Sequence, residues 1–256
     1  MKLIVMQGLN HNVGTSSVAA AITYSIAKLG KTTVCIDANT DAMGNSISNL
    51  FGLEECKSGW LNAMENGSSL INDFNEAPVF YQYEEKAFFV SLGKLDEKVD
   101  SLRANSLISP LLDQLSKYEQ IDYLIVDAGI KGNPLAKAFC SHADMVLTVL
   151  FPDGNCLLRL NSSNVEENEY LVVNALIKKS TIMNDVNLLL QSSAYKSSFL
   201  RHSISFDESV MNAYMRQMPV SRFLQISVAT LDIEKILIDI MLICQDCENS
   251  LKKEKQ

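Results

Sequence analysis

Ten residues near the amino terminus, Gly8-Leu9-Asn10-His11-Asn12-Val13-Gly14-Thr15-Ser16-Ser17, are of the types from which a phosphate-binding turn is made. Such a turn needs glycines so that backbone amides can face phosphate oxygens, a lysine to neutralise the outer phosphates, and a Ser or Thr to hold Mg²⁺. Here Gly14 supplies the turn into a helix and Ser16 or Ser17 offers the hydroxyl, Ser16 being the metal-ligand candidate, while Thr15 stands where the lysine belongs. Two acids accompany the loop. Asp37 closes the run Ile36-Asp37-Ala38-Asn39, and Asp127 closes Ile125-Val126-Asp127. Taken alone, the loop reads equally well as a plain β-to-α turn. Acidic residues at the carboxyl edge of strands, where open α/β sheets bind ligands, shift the reading towards a nucleotide with a metal ion. Asn174, at the end of a later apolar run, has an amide suited to an adenine edge.

These residues need a scaffold that brings strand ends together. Six runs rich in β-branched and aliphatic residues read as buried strands: 2–7, 33–37, 87–92, 122–127, 145–150 and 170–174. The stretch 16–29 sets Val18, Ala21, Ile22, Ile26 and Leu29 on one helical face and stops at Gly30. Continuous apolar strands alternating with amphipathic helices imply a doubly wound, mostly parallel sheet with helices on both faces. The spacing predicts a short helix over 59–65, an irregular surface excursion over 66–85, and helices within 182–195, 207–216 and 231–244. One domain over 1–247 with a charged tail over 248–256 accommodates all of this.

Composition narrows the classes. A formal charge of -8 argues against a general phosphate-backbone binder, so no nucleic-acid partner is expected. No apolar stretch reaches the roughly 20 residues that span a bilayer, and the opening Met-Lys-Leu-Ile-Val-Met breaks at Gln7, too soon for a signal peptide. The expected location is cytoplasmic. Cys35, Cys140 and Cys156 sit in or beside apolar runs as small hydrophobes, and Cys244 with Cys247 falls on a helical face. The stripe Ile233, Ile236, Leu237, Ile240, Met241, Cys244 is of the kind that packs on its own sheet, a membrane-surface helix being the alternative. His142 and His202 lack metal-ligand spacing.

On the loop, the acid after Leu-Ile-Val, which resembles a Walker B aspartate, and three further segments, the chain resembles the deviant-Walker (SIMIBI) P-loop NTPases that include MinD and ParA. It is more closely similar to the bacterial cellulose-biosynthesis family BcsQ, also called YhjQ. The further segments are Gly59-Trp60-Leu61-Asn62-Ala63-Met64, Asp153-Gly154-Asn155-Cys156-Leu157-Leu158-Arg159-Leu160, and the stretch from Asp207-Glu208-Ser209 through Pro219-Val220. The resemblance implies a MinD/ParA-like fold with nucleotide contacts from Asn10, His11, Asn12, Val13, Gly14, Thr15, Ser16, Ser17, Asp37, Asn39, Asp127, Arg159, Asn174 and Pro219. It also implies ATP and Mg²⁺ as ligands and a homodimer that sandwiches nucleotide. Small accessory subunits of the cellulose secretion system (BcsR/BcsE-like) are the implied partners, with only indirect or weak membrane association through an inner-membrane secretion complex.

The departures matter as much as the matches. MinD and ParA loops read KGGxGKT, the first lysine reaching the partner's nucleotide and the second serving its own; Asn10 and Thr15 occupy those positions. Asn39 falls where these ATPases place the aspartate that orients the attacking water. Phosphoryl transfer is catalysed by positioned charge, so these replacements imply binding without turnover. Arg159 is the candidate for the missing cation, its alternative being a surface pair with Asp153 or Glu208. An active ATPase for spatial positioning and a nucleotide-free scaffold are the rival readings.

Overall fold

In this computed structural model of the protein, residues 1–40, 47–53, 59–68, 70, 80–93 and 99–254 are described, with side chains as far as 245. The strands are β1 (Lys2–Gly8), β2 (Thr33–Asp37), β3 (Phe80–Glu84), β4 (Ala87–Val90), β5 (Tyr123–Ile130), β6 (Met145–Leu150) and β7 (Glu169–Val173). The helices are α1 (Thr15–Lys28), α2 (Trp60–Glu65), α3 (Ser101–Ser116), α4 (Pro134–Cys140), α5 (Gly154–Asn161), α6 (Thr181–Gln191), α7 (Glu208–Met215), α8 (Val220–Phe223) and α9 (Val228–Glu254). The strands form one sheet in the order β3-β4-β2-β5-β1-β6-β7, with only the β3–β4 pair antiparallel. A doubly wound, mostly parallel sheet is therefore the architecture.

Alternation along β1 shows how one strand feeds two cores. Ile4 and Met6 join a cluster with Val18, Ile22 and Ile26 of α1 and Ile233, Ile236 and Ile240 of α9. Leu3 and Val5 face the other way, towards Trp60 of α2, Ile108 and Leu111 of α3 and Phe139 of α4. Because β1 is covered on both faces, its sequence reads as a continuous apolar run. Each fully buried aliphatic side chain contributes roughly 1.5–3 kcal/mol, so losing either face would unfold the sheet centre. The carboxyl-terminal stripe packs inward as expected, with Ile233, Ile236, Leu237, Ile240 and Cys244 all buried. Among the described residues, no helix is long and apolar enough to cross a membrane.

Two sequence expectations are corrected. The supposed irregular excursion over 66–85 ends in β3, whose Phe80-Tyr81-Gln82-Tyr83-Glu84 forms the antiparallel sheet edge. Aromatic contacts hold it there: Tyr83 stands edge-on to Phe51 with ring centroids 5.0 Å apart, and Tyr81 lies 6.5 Å from Phe89. Its Gln and Glu gave it a polar look that suits an edge rather than a buried strand. The run read as a strand over 122–127 continues to Ile130, with Gly129 at φ +68° accommodating the irregularity at which the register against β1 shifts between Met6↔Asp127 and Gly8↔Ile130.

Candidate functional site

The chain runs from β1 to β2 on one side and reaches β6 on the other, so the carboxyl end of β1 lies at a topological switch point, where α/β sheets open a crevice. The loop after Gly8 fills that crevice. A Cβ on Gly8 would meet Asn10 O and Thr15 Oγ1, each at 2.7 Å, which ties the glycine to the tight turn. Asn12 (φ +58°) and Gly14 (φ +91°) adopt the left-handed conformation that reverses the chain into α1. Asn174 fastens the turn: its Nδ2 donates to Val13 O at 2.8 Å, and a Cβ at Gly14 would overlap that same amide. No side chain caps the N-terminus of α1, which directs its first-turn amides and dipole to an anion in the crevice.

Beneath the loop, Asp127 is completely buried. Its Oδ1 accepts from Gly129 N at 3.3 Å, whereas Oδ2 is buried with no hydrogen-bond partner. Burial pushes the carboxyl up to about 6, with the nearby Ser16 hydroxyl and the Gly129 amide pulling the other way. Ser16 thus lies beside Asp127 without satisfying Oδ2. An orphaned carboxylate oxygen next to a serine hydroxyl is a hard-oxygen donor set of the kind Mg²⁺ takes. Asp37 pairs with Asp127 across β2 and β5, and its Oδ1 accepts from Asn39 N at 3.0 Å. The Asn39 amide is seated on Gly129, where any Cβ would strike its Oδ1. Trp60 closes the floor, its indole N–H donating to Asp37 O at 2.6 Å.

The outer wall is α5. Asp153 caps it by accepting from Cys156 N at 2.7 Å, which fixes the rotation of the helix about its axis. Three residues apart, Cys156 and Arg159 then share a face. Both grip Asn10: its Nδ2 donates to Cys156 Sγ at 3.6 Å and its Oδ1 accepts from Arg159 Nη1 at 3.0 Å. Arg159 Nη2 also reaches Lys131 O at 3.4 Å. Among the described residues Arg159 forms no ion pair with Asp153 or Glu208; it points at the loop. A cavity of about 660 Å³ opens here, lined by Asn10, His11, Asn12, Asp153 and Arg159 among others.

The structure therefore brings Asn10 to Ser16, Asp37, Asn39, Asp127, Arg159 and Asn174 around one crevice. Thr15 is buried with its hydroxyl turned to Gly8, and His11 is exposed. Ser17 follows in the first turn of α1. Pro219 immediately precedes α8, which meets α1 through Ser221 Oγ donating to Ala21 O at 3.0 Å, well along the helix from the loop. Cys156 reads in sequence as a small hydrophobe and acts here as an acceptor for Asn10; its spacing from Arg159 was the available signal. Lys131 carried no signal beyond lying four residues after Asp127. The thiols of Cys35, Cys140 and Cys156 are held in the protonated form, since burial raises Cys35 and Cys156 and pushes Cys140 up to about 12.

Comparison with known proteins agrees with this fold. The family model described as cellulose biosynthesis protein BcsQ matches residues 1–239. The cellulose biosynthesis protein BcsQ of Escherichia coli K12 is 23% identical over 230 residues, covering 87% of each chain. Among solved structures, the MinC:MinD cell division protein complex of Aquifex aeolicus aligns with a TM-score of 0.72 at 18% identity, covering 94% of this chain and 96% of that one. The septum site-determining protein MinD of Pyrococcus horikoshii, complexed with Mg-ADP, aligns with a TM-score of 0.70 at 12% identity, covering 93% and 95%. At these identities the structures establish a shared MinD/ParA-like fold. With the family model spanning nearly the whole sequence, the chain belongs to the cellulose biosynthesis protein BcsQ family.

Proposed function

We propose that this member of the family binds ATP with Mg²⁺ and does not turn it over, serving as a nucleotide-held homodimer in bacterial cellulose synthesis and secretion. The observation that carries the reading is the buried, unpartnered Asp127 Oδ2 beside Ser16, at the foot of an uncapped helix N-terminus. Ser16 and Asp127 would hold the metal ion, which supplies charge neutralisation to the phosphates when bound. The first-turn amides of α1 receive the outer phosphate oxygens, and Arg159 provides the one guanidinium at the loop among the described residues. Asn174 spends its Nδ2 on Val13 O, so its role is to set the loop's shape, leaving the amide oxygen as the group that would meet a base.

Turnover fails for stated reasons. Thr15 brings no charge to the position of a P-loop lysine, and it is buried. Asn39 brings an amide where a carboxylate would orient water, and that amide is packed on Gly129. Charge positioned in the transition state is what phosphoryl transfer requires, and both pieces are absent. Burying a triphosphate between two such loops demands a cation from each chain, which makes Arg159 the residue on which dimerisation depends. The dimer then offers a surface to small accessory subunits of the BcsR or BcsE kind and reaches the inner membrane through them. Incubation with Mg-ATP, followed by nucleotide analysis and phosphate assay, tests the reading. Retained, intact ATP supports it, steady phosphate release favours the active-ATPase reading, and absence of nucleotide favours a scaffold.

A further inference from the structure

Lys131 lies in the turn that leaves β5, outside the residues assigned to nucleotide above. Its backbone joins two parts of the site. Its N–H donates to Gly8 O at 2.8 Å, at the root of the loop, and its carbonyl accepts from Arg159 Nη2 at 3.4 Å. Its side chain turns the other way, into the sheet: Nζ lies 2.6 and 2.7 Å from the two carboxylate oxygens of Glu169 and 2.6 Å from Asn164 O. Glu169 opens β7 and is only 3% exposed. Its Oε1 also accepts from the Thr148 hydroxyl at 2.5 Å and the Gln7 amide at 3.3 Å, and its Oε2 from Glu166 N at 3.2 Å.

A parallel sheet covered by helices is ordinarily apolar on both faces, yet here Gln7 of β1 pairs with Thr148 of β6, and Glu169 of β7, opposite Val146, reaches both of them diagonally. A buried ion pair of this kind adds little net stability over an apolar packing, because desolvation offsets the attraction. What it does give is a fixed position. The pair also walls a cleft of about 700 Å³ that Arg159 helps to line. An arginine at the edge of such a space has room to swing off the loop, and ordering its long stem at the moment of binding costs affinity.

We propose that Lys131 is a positioning residue for the nucleotide site: anchored on Glu169, it holds its own carbonyl, and through it Arg159, in place over the loop. The inference rests on the reading that the loop binds ATP, and it adds the device that pre-sets the cation. Lys131 contacts no nucleotide in this scheme. Its effect passes through Arg159.

The test is a double-mutant cycle on Mg-ATP affinity, measured by calorimetry on wild type, Lys131→Met, Arg159→Gln and the double variant. Arg159→Gln is expected to weaken binding roughly tenfold or more, as loss of a charge-assisted contact does. Lys131→Met is expected to weaken it at least about threefold in wild type and by less than about twofold in the Arg159→Gln background. Lys131→Arg, which can still pair with Glu169, is expected to restore affinity. A merely structural lysine would lower the melting temperature without this coupling, so independent, additive losses or unchanged affinity in Lys131→Met overturn the proposal. If Lys131→Met fails to fold because Glu169 is left buried and charged, Lys131→Met with Glu169→Gln replaces it in the cycle under the same criteria. Wild type that binds no ATP sinks the nucleotide reading itself, a result distinct from wild type that binds while Lys131→Met binds equally well.

Discussion

Replacing Asp127 by Asn should stabilise the protein when no metal is present, and the size of the gain follows from the buried carboxyl. Asp127 is fully enclosed, and burial holds its pKa at about 6 against 3.8 for an ordinary aspartate. The folded state therefore binds a proton more tightly than the unfolded chain. Below pH 3.8 both states are protonated and nothing is lost; as pH rises towards 6 the unfolded state ionises first, and above 6 the cost is constant. At about 1.4 kcal/mol per pH unit, that cost reaches roughly 3 kcal/mol at pH 7. Asn keeps the acceptor for Gly129 N but places an amide where Oδ2 lacked a partner, which returns about 1–2 kcal/mol unless Ser16 accepts from it. A net gain of about 1–2 kcal/mol remains, raising the melting temperature by roughly 2–8 °C for a chain of this size. Scanning calorimetry from pH 4 to pH 8, with and without Mg-ATP, measures this. The variant should lead at pH 7.5 without ligand, lose its lead near pH 4, and gain nothing from Mg-ATP while wild type does. A variant less stable than wild type at both pH values would refute the reasoning, since Asp127 would then be a contributor to folding rather than a strained ligand.

The same carboxyl predicts that Mg²⁺ dependence of nucleotide binding weakens as pH falls through about 6, because the proton competes for Asp127; a titration series between pH 5 and pH 8 reads it. Gly14→Ala places a Cβ against Asn174 at φ +91° and should cost about 1–3 kcal/mol in urea unfolding together with most ATP affinity. Arg159→Glu should leave a folded monomer and abolish the ATP-dependent dimer in light scattering, since a repulsive charge replaces the cation held at Asn10. Thr15→Lys should tighten ATP binding about tenfold in calorimetry by adding a charge beside the outer phosphates; unchanged or weaker binding would mean that the loop does not present that position to phosphate.

Much of the site is readable from sequence because its parts end strands that are buried on both faces. Such strands are continuous apolar runs, so the acid that closes the apolar run, Asp37 at the end of β2 or Asp127 within β5, marks the approach to a carboxyl edge by its place in the chain alone. The clamp on Asn10 is not readable in that way. Its partners lie 146 and 149 residues away, and only the completed fold brings β6 and its helix beside β1. β7 begins at Glu169, one residue before the apolar run, because a carboxylate can open a buried strand only when Lys131 neutralises it. α3 left a weak trace as well: Pro110, ordinarily a helix breaker, sits inside a continuous helix whose apolar face is Ala104, Leu107, Ile108, Leu111 and Leu115. Local pattern located the loop and the acids, whereas long-range pairing decided where the cation points.

The central claim is that this site holds ATP and leaves it intact. Its most direct test is to incubate the purified protein with Mg-ATP, isolate the complex by size exclusion with light scattering, and quantify bound nucleotide and released phosphate in the same sample. The account predicts a particle of twice the chain mass carrying one intact ATP per chain, with phosphate release far below roughly 0.1 per second. Phosphate release at that rate or faster, or a particle that carries no nucleotide, would contradict it.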